Sequence, residues 1–104
     1  MADKDHILQL IKRSVSGTDP GATLILYGSY ARGDYNEESD IDVLVLIDQE
    51  KVTMHDRERI SSQLNSISLD NDVLISPFIS TKQGWATHKV TPFLENVNRE
   101  GILI

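Results

Sequence analysis

Cysteine is absent from these 104 residues, which excludes disulfides, thiolate metal sites and a thiol nucleophile. No apolar run approaches the ~20 residues that a membrane-spanning helix needs. The opening MADKDHILQLIKR is broken by charges like an amphipathic helix and lacks the continuous apolar centre of a signal peptide. A cytoplasmic location is the expectation by default, and a membrane partner is not expected. Positive charge is also short: ten Lys and Arg stand against sixteen Asp and Glu, a net charge of −6. A surface that grips nucleic acid through its phosphates is basic, and the ten cations here are scattered along the chain. Direct binding of long RNA or DNA is therefore not expected. A small anionic ligand that brings its own metal ion is still compatible, because the ion supplies positive charge locally.

What is present reads as one globular domain over residues 1–104, with 39% hydrophobic and 25% charged residues, ordinary proportions for such a domain. There is no internal repeat, low-complexity stretch or linker. Residues 5–16 carry Ile7, Leu8, Leu10, Ile11 and Val15 at helical spacing, with Asp3 or Asp5 available as N-cap. Residues 17–21, containing Asp19-Pro20, read as a stop and turn. ATLILY at 22–27 predicts a short buried strand, broken by Gly28. Residues 29–32 can start only a brief helix before Gly33, and 34–39 are polar and loop-like. DIDVLVLI at 40–47 predicts the clearest strand. Residues 53–67 predict an amphipathic helix with Met54, Ile60, Leu64 and Ile67. A third strand is expected at about 72–79, where Pro77 suggests an edge position or a bulge. Thr91-Pro92 reads as an N-cap followed by proline at the first helical position. That last helix runs through Arg99 and stops at Gly101, before a short apolar tail, 102–104. Strands alternating with helices point to a small α/β domain.

Asp40 and Asp42 are two apart on a strand, so both carboxylates leave the same face about 6–7 Å apart. Such a pair repels unless something positive lies between, and Mg²⁺ binds through one or two carboxylates plus substrate phosphates. An isolated D-x-D is also common at strand starts, where Asp40 ends a loop and Asp42 caps a neighbouring element. The upstream Gly28-Ser29 weighs against that reading. A glycine after a strand permits close backbone approach, and the serine hydroxyl and backbone amides suit a phosphate. Arg32, one turn on, can add charge-assisted contacts to the same anion. Asp72, at the expected start of the third strand, is the candidate third carboxylate, with Asp70 as the alternative and a plain Asx-rich turn as the structural reading. Asp48 shares the parity of the pair but lies about 20 Å beyond Asp42, too far to share an ion. His6, His55 and His88 lack metal-ligand spacing. Trp85, Phe78 and Phe93 read as core or interface residues, and no residue is assigned to stacking on a purine.

Leu26-Tyr27-Gly28-Ser29-Tyr30-Ala31-Arg32-Gly33 followed by Ser39-Asp40-Ile41-Asp42-Val43-Leu44-Val45 resembles the signature of the DNA polymerase β-like nucleotidyltransferase superfamily. The form is closest to its smallest members, the minimal nucleotidyltransferases. The resemblance implies an α/β (α+β) fold, a small mixed β-sheet flanked by helices as in the polymerase β-like palm. It implies two Mg²⁺ ions and a nucleoside triphosphate, with ATP as the substrate. Triphosphate binding maps onto Gly28 and Ser29, and metal binding onto Asp40 and Asp42. The third family carboxylate falls on Asp72, where Asn71 departs from the family's hydrophobic-Asp-hydrophobic pattern.

Minimal nucleotidyltransferases pair with a HEPN-domain toxin as its antitoxin, and the activity implied is transfer of AMP to a tyrosine hydroxyl of that partner. The expected reaction is in-line displacement at the α-phosphorus with release of pyrophosphate, with Asp72 as ligand and general base. Larger relatives use a second domain to bind the acceptor. Here the acceptor is expected from another molecule, or the chain assembles with itself. Two rival readings stand beside this one. The chain keeps the fold and neutralises its toxin by complex formation alone, or it modifies a small cationic molecule, as aminoglycoside-modifying relatives do.

Overall fold

Four strands form one mixed sheet in the computed structural model, which describes residues 4–36, 38–87 and 92–104. In chain order the elements are α1 (Lys4–Thr18), β1 (Thr23–Tyr27), α2 (Ser29–Arg32), β2 (Ile41–Ile47), α3 (Met54–Asn71), β3 (Ile75–Thr81), α4 (Lys82–Ala86), α5 (Pro92–Glu100) and β4 (Ile102–Leu103). The strands lie in the order β3-β2-β1-β4. β2 runs antiparallel to β1 and parallel to β3, and β1 is antiparallel to β4. This is the small mixed sheet flanked by helices that the resemblance implies.

The two faces are covered unequally. Strand side chains alternate between faces, and Ile41, Val43, Val45 and Ile47 of β2 pack with Ile7, Ile11 and Val15 of α1 and with Ile60 and Leu64 of α3. All of these are at most 3% exposed, so truncating one, as in Leu64→Ala, is expected to cost about 2–5 kcal/mol. The opposite face has a smaller cluster: Leu44, Leu46 and Val97, with Ile25, Tyr27 and Trp85 packed against it. Asp42 has the parity of Leu44 and Leu46, so the candidate site lies on this thinner face. Pro77 lies in β3, an edge strand, where a residue without an N–H is tolerated.

α3 begins with a capping box. The Thr53 hydroxyl accepts the Asp56 N–H at 3.1 Å, and the Asp56 carboxylate accepts the Thr53 N–H at 2.9 Å. Asp56 also accepts from the Thr53 hydroxyl at 2.8 Å, the Gln49 amide at 2.7 Å and Arg59 at 3.1 Å. Arg59 reaches on to Asp19, joining the α1–β1 turn to α3. Asp5 lies in the first turn of α1; Asp3, His88 and Thr91 are outside the described residues.

Several boundaries differ from the sequence reading. α1 continues through Gly17 and Thr18. α3 extends past Ile67 to Asn71, and β3 starts at Ile75, three residues after Asp72. Asp72 takes a left-handed conformation, φ 52° and ψ 50°, with its N–H donating to the Ser68 carbonyl. Asp and Asn tolerate this conformation at a helix end, so the Asx-rich stretch closes a helix and does not open a strand. α4, capped by the Thr81 hydroxyl on the Gly84 N–H at 2.8 Å, has no strong sequence signal. Leu103 and Ile102 pair with Ile25 and Leu26, turning the apolar tail into an edge strand. Among the described residues no helix is long and apolar enough to cross a membrane.

Candidate active site

The site forms where β1 ends and β2 begins. β1 runs into Gly28, whose φ of 75° and ψ of −156° belong to a region that side chains other than glycine's rarely enter. The Gly28 carbonyl then accepts the Ala31 and Arg32 N–H groups at 3.1 and 3.0 Å, starting α2. A left-handed Gly33, φ 85°, ends it. Tyr30 of this turn is buried, which anchors Ser29 and Arg32 at the end of β1.

Antiparallel register sets Tyr27 opposite Asp42, and Gly28, the next residue, lies against the Asp42 side chain. A β-carbon at Gly28 would stand 2.4 Å from Asp42 Oδ2, so glycine is needed at 28 for the carboxylate's position as well as for the backbone. On the other side of β2, Ser76 of β3 is in register with Asp42, and its hydroxyl donates to Asp40 Oδ2 at 3.1 Å. Asp40 and Asp42 are both half-buried. Burial, and after it the charge of Asp40, raises the Asp42 pKa above the usual carboxylate range, while Arg32 partly offsets this. Burial and the Asp42 charge also push the Tyr27 phenol up.

Arg32 is about half exposed. Its Nε donates to Asp34 at 3.2 Å and its Nη1 to Glu100, at the end of α5, at 3.0 Å. These hydrogen bonds push the guanidinium pKa up. Glu100 was not visible as a site residue from the sequence: it is 68 positions from Arg32, and no local pattern marks it. Gly28, Ser29, Arg32, Asp40 and Asp42 are thus gathered at one end of β1 and β2.

Asp72 is not brought to this pair. It is exposed at the end of α3 and lines a hollow with Glu38, Ser39, Ser68 and Val73. Asp70 is exposed on the last turn of α3. Among the described residues no group of three His, Asp or Glu side chains is placed to hold a metal ion together. The β3 position beside Asp42 is a serine. The physical reason is the extension of α3, which leaves the carboxylate in the connection before the strand. His6 and His55 are exposed helix residues. The Asp40–Asp42 pair itself fits a divalent cation: it is two oxygen ligands on one face, half-buried, with mutual repulsion that a cation would relieve.

Residues 8–97 match the nucleotidyltransferase domain family. The chain belongs to this family. MJ0141 of Methanocaldococcus jannaschii, named as a protein adenylyltransferase by inference, is 46% identical over 99 residues, which cover 93% of this chain and 94% of that protein. MJ0604 of the same organism, named in the same way, is 35% identical over 78 residues, covering 75% and 72%. A chain in the crystal structure of a toxin–antitoxin with AMP-PNP matches this nucleotidyltransferase with a TM-score of 0.66 at 19% identity, covering 91% of this chain and 69% of that one. A chain of the toxin–antitoxin MntA-HpeT, in a mutant with two aspartates changed to glutamate, matches with a TM-score of 0.59 at 16% identity, covering 98% and 71%. At these identities the structural likeness is one of fold.

Proposed function

We propose that this nucleotidyltransferase transfers AMP from ATP to a hydroxyl of a partner protein, a tyrosine of a HEPN-type toxin, and acts as that toxin's antitoxin in the cytoplasm. The observation that carries the reading is the seating of the Asp42 carboxylate against Gly28, where the turn between β1 and α2 meets the carboxylate pair. In this reading Gly28 and Ser29 bind the β- and γ-phosphates, and Arg32 adds positive charge on the same side. Asp40 and Asp42 would hold Mg²⁺, which when bound offsets charge on the triphosphate and on the leaving pyrophosphate. A second ion would have to draw its remaining ligands from substrate phosphates and water.

The acceptor hydroxyl oxygen bonds to the α-phosphorus as the bond to the α–β bridging oxygen breaks and pyrophosphate departs. The hydroxyl proton passes to Asp40, whose Oδ2 already accepts a hydroxyl hydrogen bond from Ser76. Positioning and charge neutralisation supply most of the acceleration. Support for a protein acceptor comes from the names of the M. jannaschii relatives, and support for a toxin partner from the two toxin–antitoxin neighbours. The test is labelling of the partner by ATP carrying ³²P at the α or the γ position: α-label on the partner with none from γ-label supports AMP transfer, and the reverse pattern overturns it.

One observation favours a second reading. Among the described residues the carboxylate set is two rather than three, with Ser76 in register beside Asp42, which suits an antitoxin that neutralises its partner by complex formation. An Asp40/Asp42 double variant that still neutralises the toxin fully would select that reading.

A further inference from the structure

Large exposed apolar groups are informative when they adjoin a functional site. Phe78 and Phe93 are 45% and 38% exposed, and both belong to the face that carries Asp42. Phe93 is the hub of the group: its ring lies 5.6 Å from Tyr27, 5.2 Å from Phe78 and 6.1 Å from Trp85. Phe78 in turn meets Trp85 at 6.5 Å. The row begins at the carboxylates, because Tyr27 is the cross-strand partner of Asp42.

Register gives its reach. Phe78 is in line with Leu44 on the neighbouring strand, two residues beyond Asp42. A strand spacing of ~4.8 Å and a rise of ~3.3 Å per residue then put the Phe78 and Asp42 backbones roughly 8 Å apart, within the span of a nucleoside 5′-phosphate. The open area of the two rings is about 170 Å², taking ~200 Å² for a whole aromatic side chain. That is close to the area of one aromatic side chain, the size of a single base.

We infer that Phe78 and Phe93 form the base-stacking wall of the active site and receive the purine of the nucleoside triphosphate whose phosphates lie at Gly28, Ser29 and the carboxylate pair. This rests on the proposed nucleotide site and adds its base subsite. Tyr27 is the hinge between the two halves, touching the carboxylate end through Asp42 and the aromatic end through Phe93. Recognition through ring faces is tolerant of base identity, because every base has a π-face. The phosphates and ion then supply most of the affinity, and the wall sets the orientation of the nucleoside.

The test compares binding of ATP and of inorganic tripolyphosphate, each with Mg²⁺, to the wild type, Phe78→Leu and Phe93→Leu. Leucine keeps the apolar packing, and a thermal melt of each variant establishes that it is folded. The wild type is expected to bind ATP about tenfold or more tightly than tripolyphosphate, and each variant to lose about tenfold for ATP with tripolyphosphate unchanged. Equal affinities for the two ligands in the wild type overturn the wall. So do variants that keep ATP affinity and lose only partner binding, which would make the rings a protein contact. A wild type that binds neither ligand overturns the nucleotide site itself.

Discussion

The carboxylate of Asp42 occupies the space that a side chain at Gly28 would need, with Oδ2 2.4 Å from the position of the missing β-carbon. Gly28 also has φ 75°. Gly28→Ala therefore meets two obstacles, a positive φ and a displaced carboxylate. The backbone strain is expected to cost about 1–3 kcal/mol, seen as a fall in Tm of several degrees. Transfer activity per folded molecule should fall far more than the stability does, because Asp42 itself must move. Thermal denaturation and transfer rate, measured on the same preparation, separate the two effects.

Asp42→Asn should remove activity without loss of stability in metal-free buffer. The folded-state pKa of Asp42 is raised above its unfolded value by burial and by Asp40. Its contribution to stability is therefore fully present below the unfolded pKa and is lost as pH rises through the folded one. The stability of wild type relative to Asp42→Asn is accordingly expected to decline from pH 4 to pH 7. Mg²⁺ should restore it in the wild type and leave the variant unchanged. Melting curves at the two pH values, with and without Mg²⁺, check the sign.

Asp56 has the opposite sign. The Thr53 N–H and hydroxyl, with Arg59 and Gln49 after them, hold its carboxyl well below the usual carboxylate range. Its stabilisation is present above the unfolded pKa and is lost as pH falls toward the folded one. Asp56→Asn should lower Tm at neutral pH and narrow its gap to wild type in acid. Thr53→Ala is expected to cost about 1 kcal/mol, or roughly 4–8 °C, with transfer per folded molecule unaltered.

The motif residues were legible because a short stretch of chain contains them. Gly28-Ser29 and Asp40-x-Asp42 flank one connection, and strand alternation alone puts both carboxylates on one face. Pro77 gave away its edge strand for the same local reason. The strand start at Asp72 did not read correctly because DVLISPFI looks like a strand from its first residue, whereas helical hydrogen bonds persist through Asn71 and a left-handed Asp72 ends them. The two-residue β4 and the Arg32–Glu100 contact depend on the chain folding back on β1, which no window of sequence contains. The aromatic row is also assembled from distant segments, β1, β3, α4 and α5.

Two substitutions probe those late-assembled parts. Asp72→Asn is expected to keep transfer within about twofold of wild type, since the carboxylate does not reach the pair; a loss comparable to that of Asp42→Asn would return Asp72 to the site. Glu100 holds Arg32 at 3.0 Å, and Gly101 beside it is closely packed, its β-carbon position lying 2.5 Å from the Val97 carbonyl oxygen. Glu100→Gln should weaken transfer severalfold, chiefly through KM for the triphosphate, and Glu100→Asp should recover part of it. Steady-state kinetics over a range of ATP concentrations distinguish this from a change in the fraction folded.

The most direct test of the central claim is label transfer from α-³²P-ATP with Mg²⁺ to a HEPN-type toxin partner, comparing wild type with Asp42→Asn. Label is expected on the partner with wild type, with a loss of at least a hundredfold for the variant, both proteins being folded and partner-bound. Full labelling by Asp42→Asn, or no labelling by wild type in a stable complex that still neutralises the toxin, would contradict it.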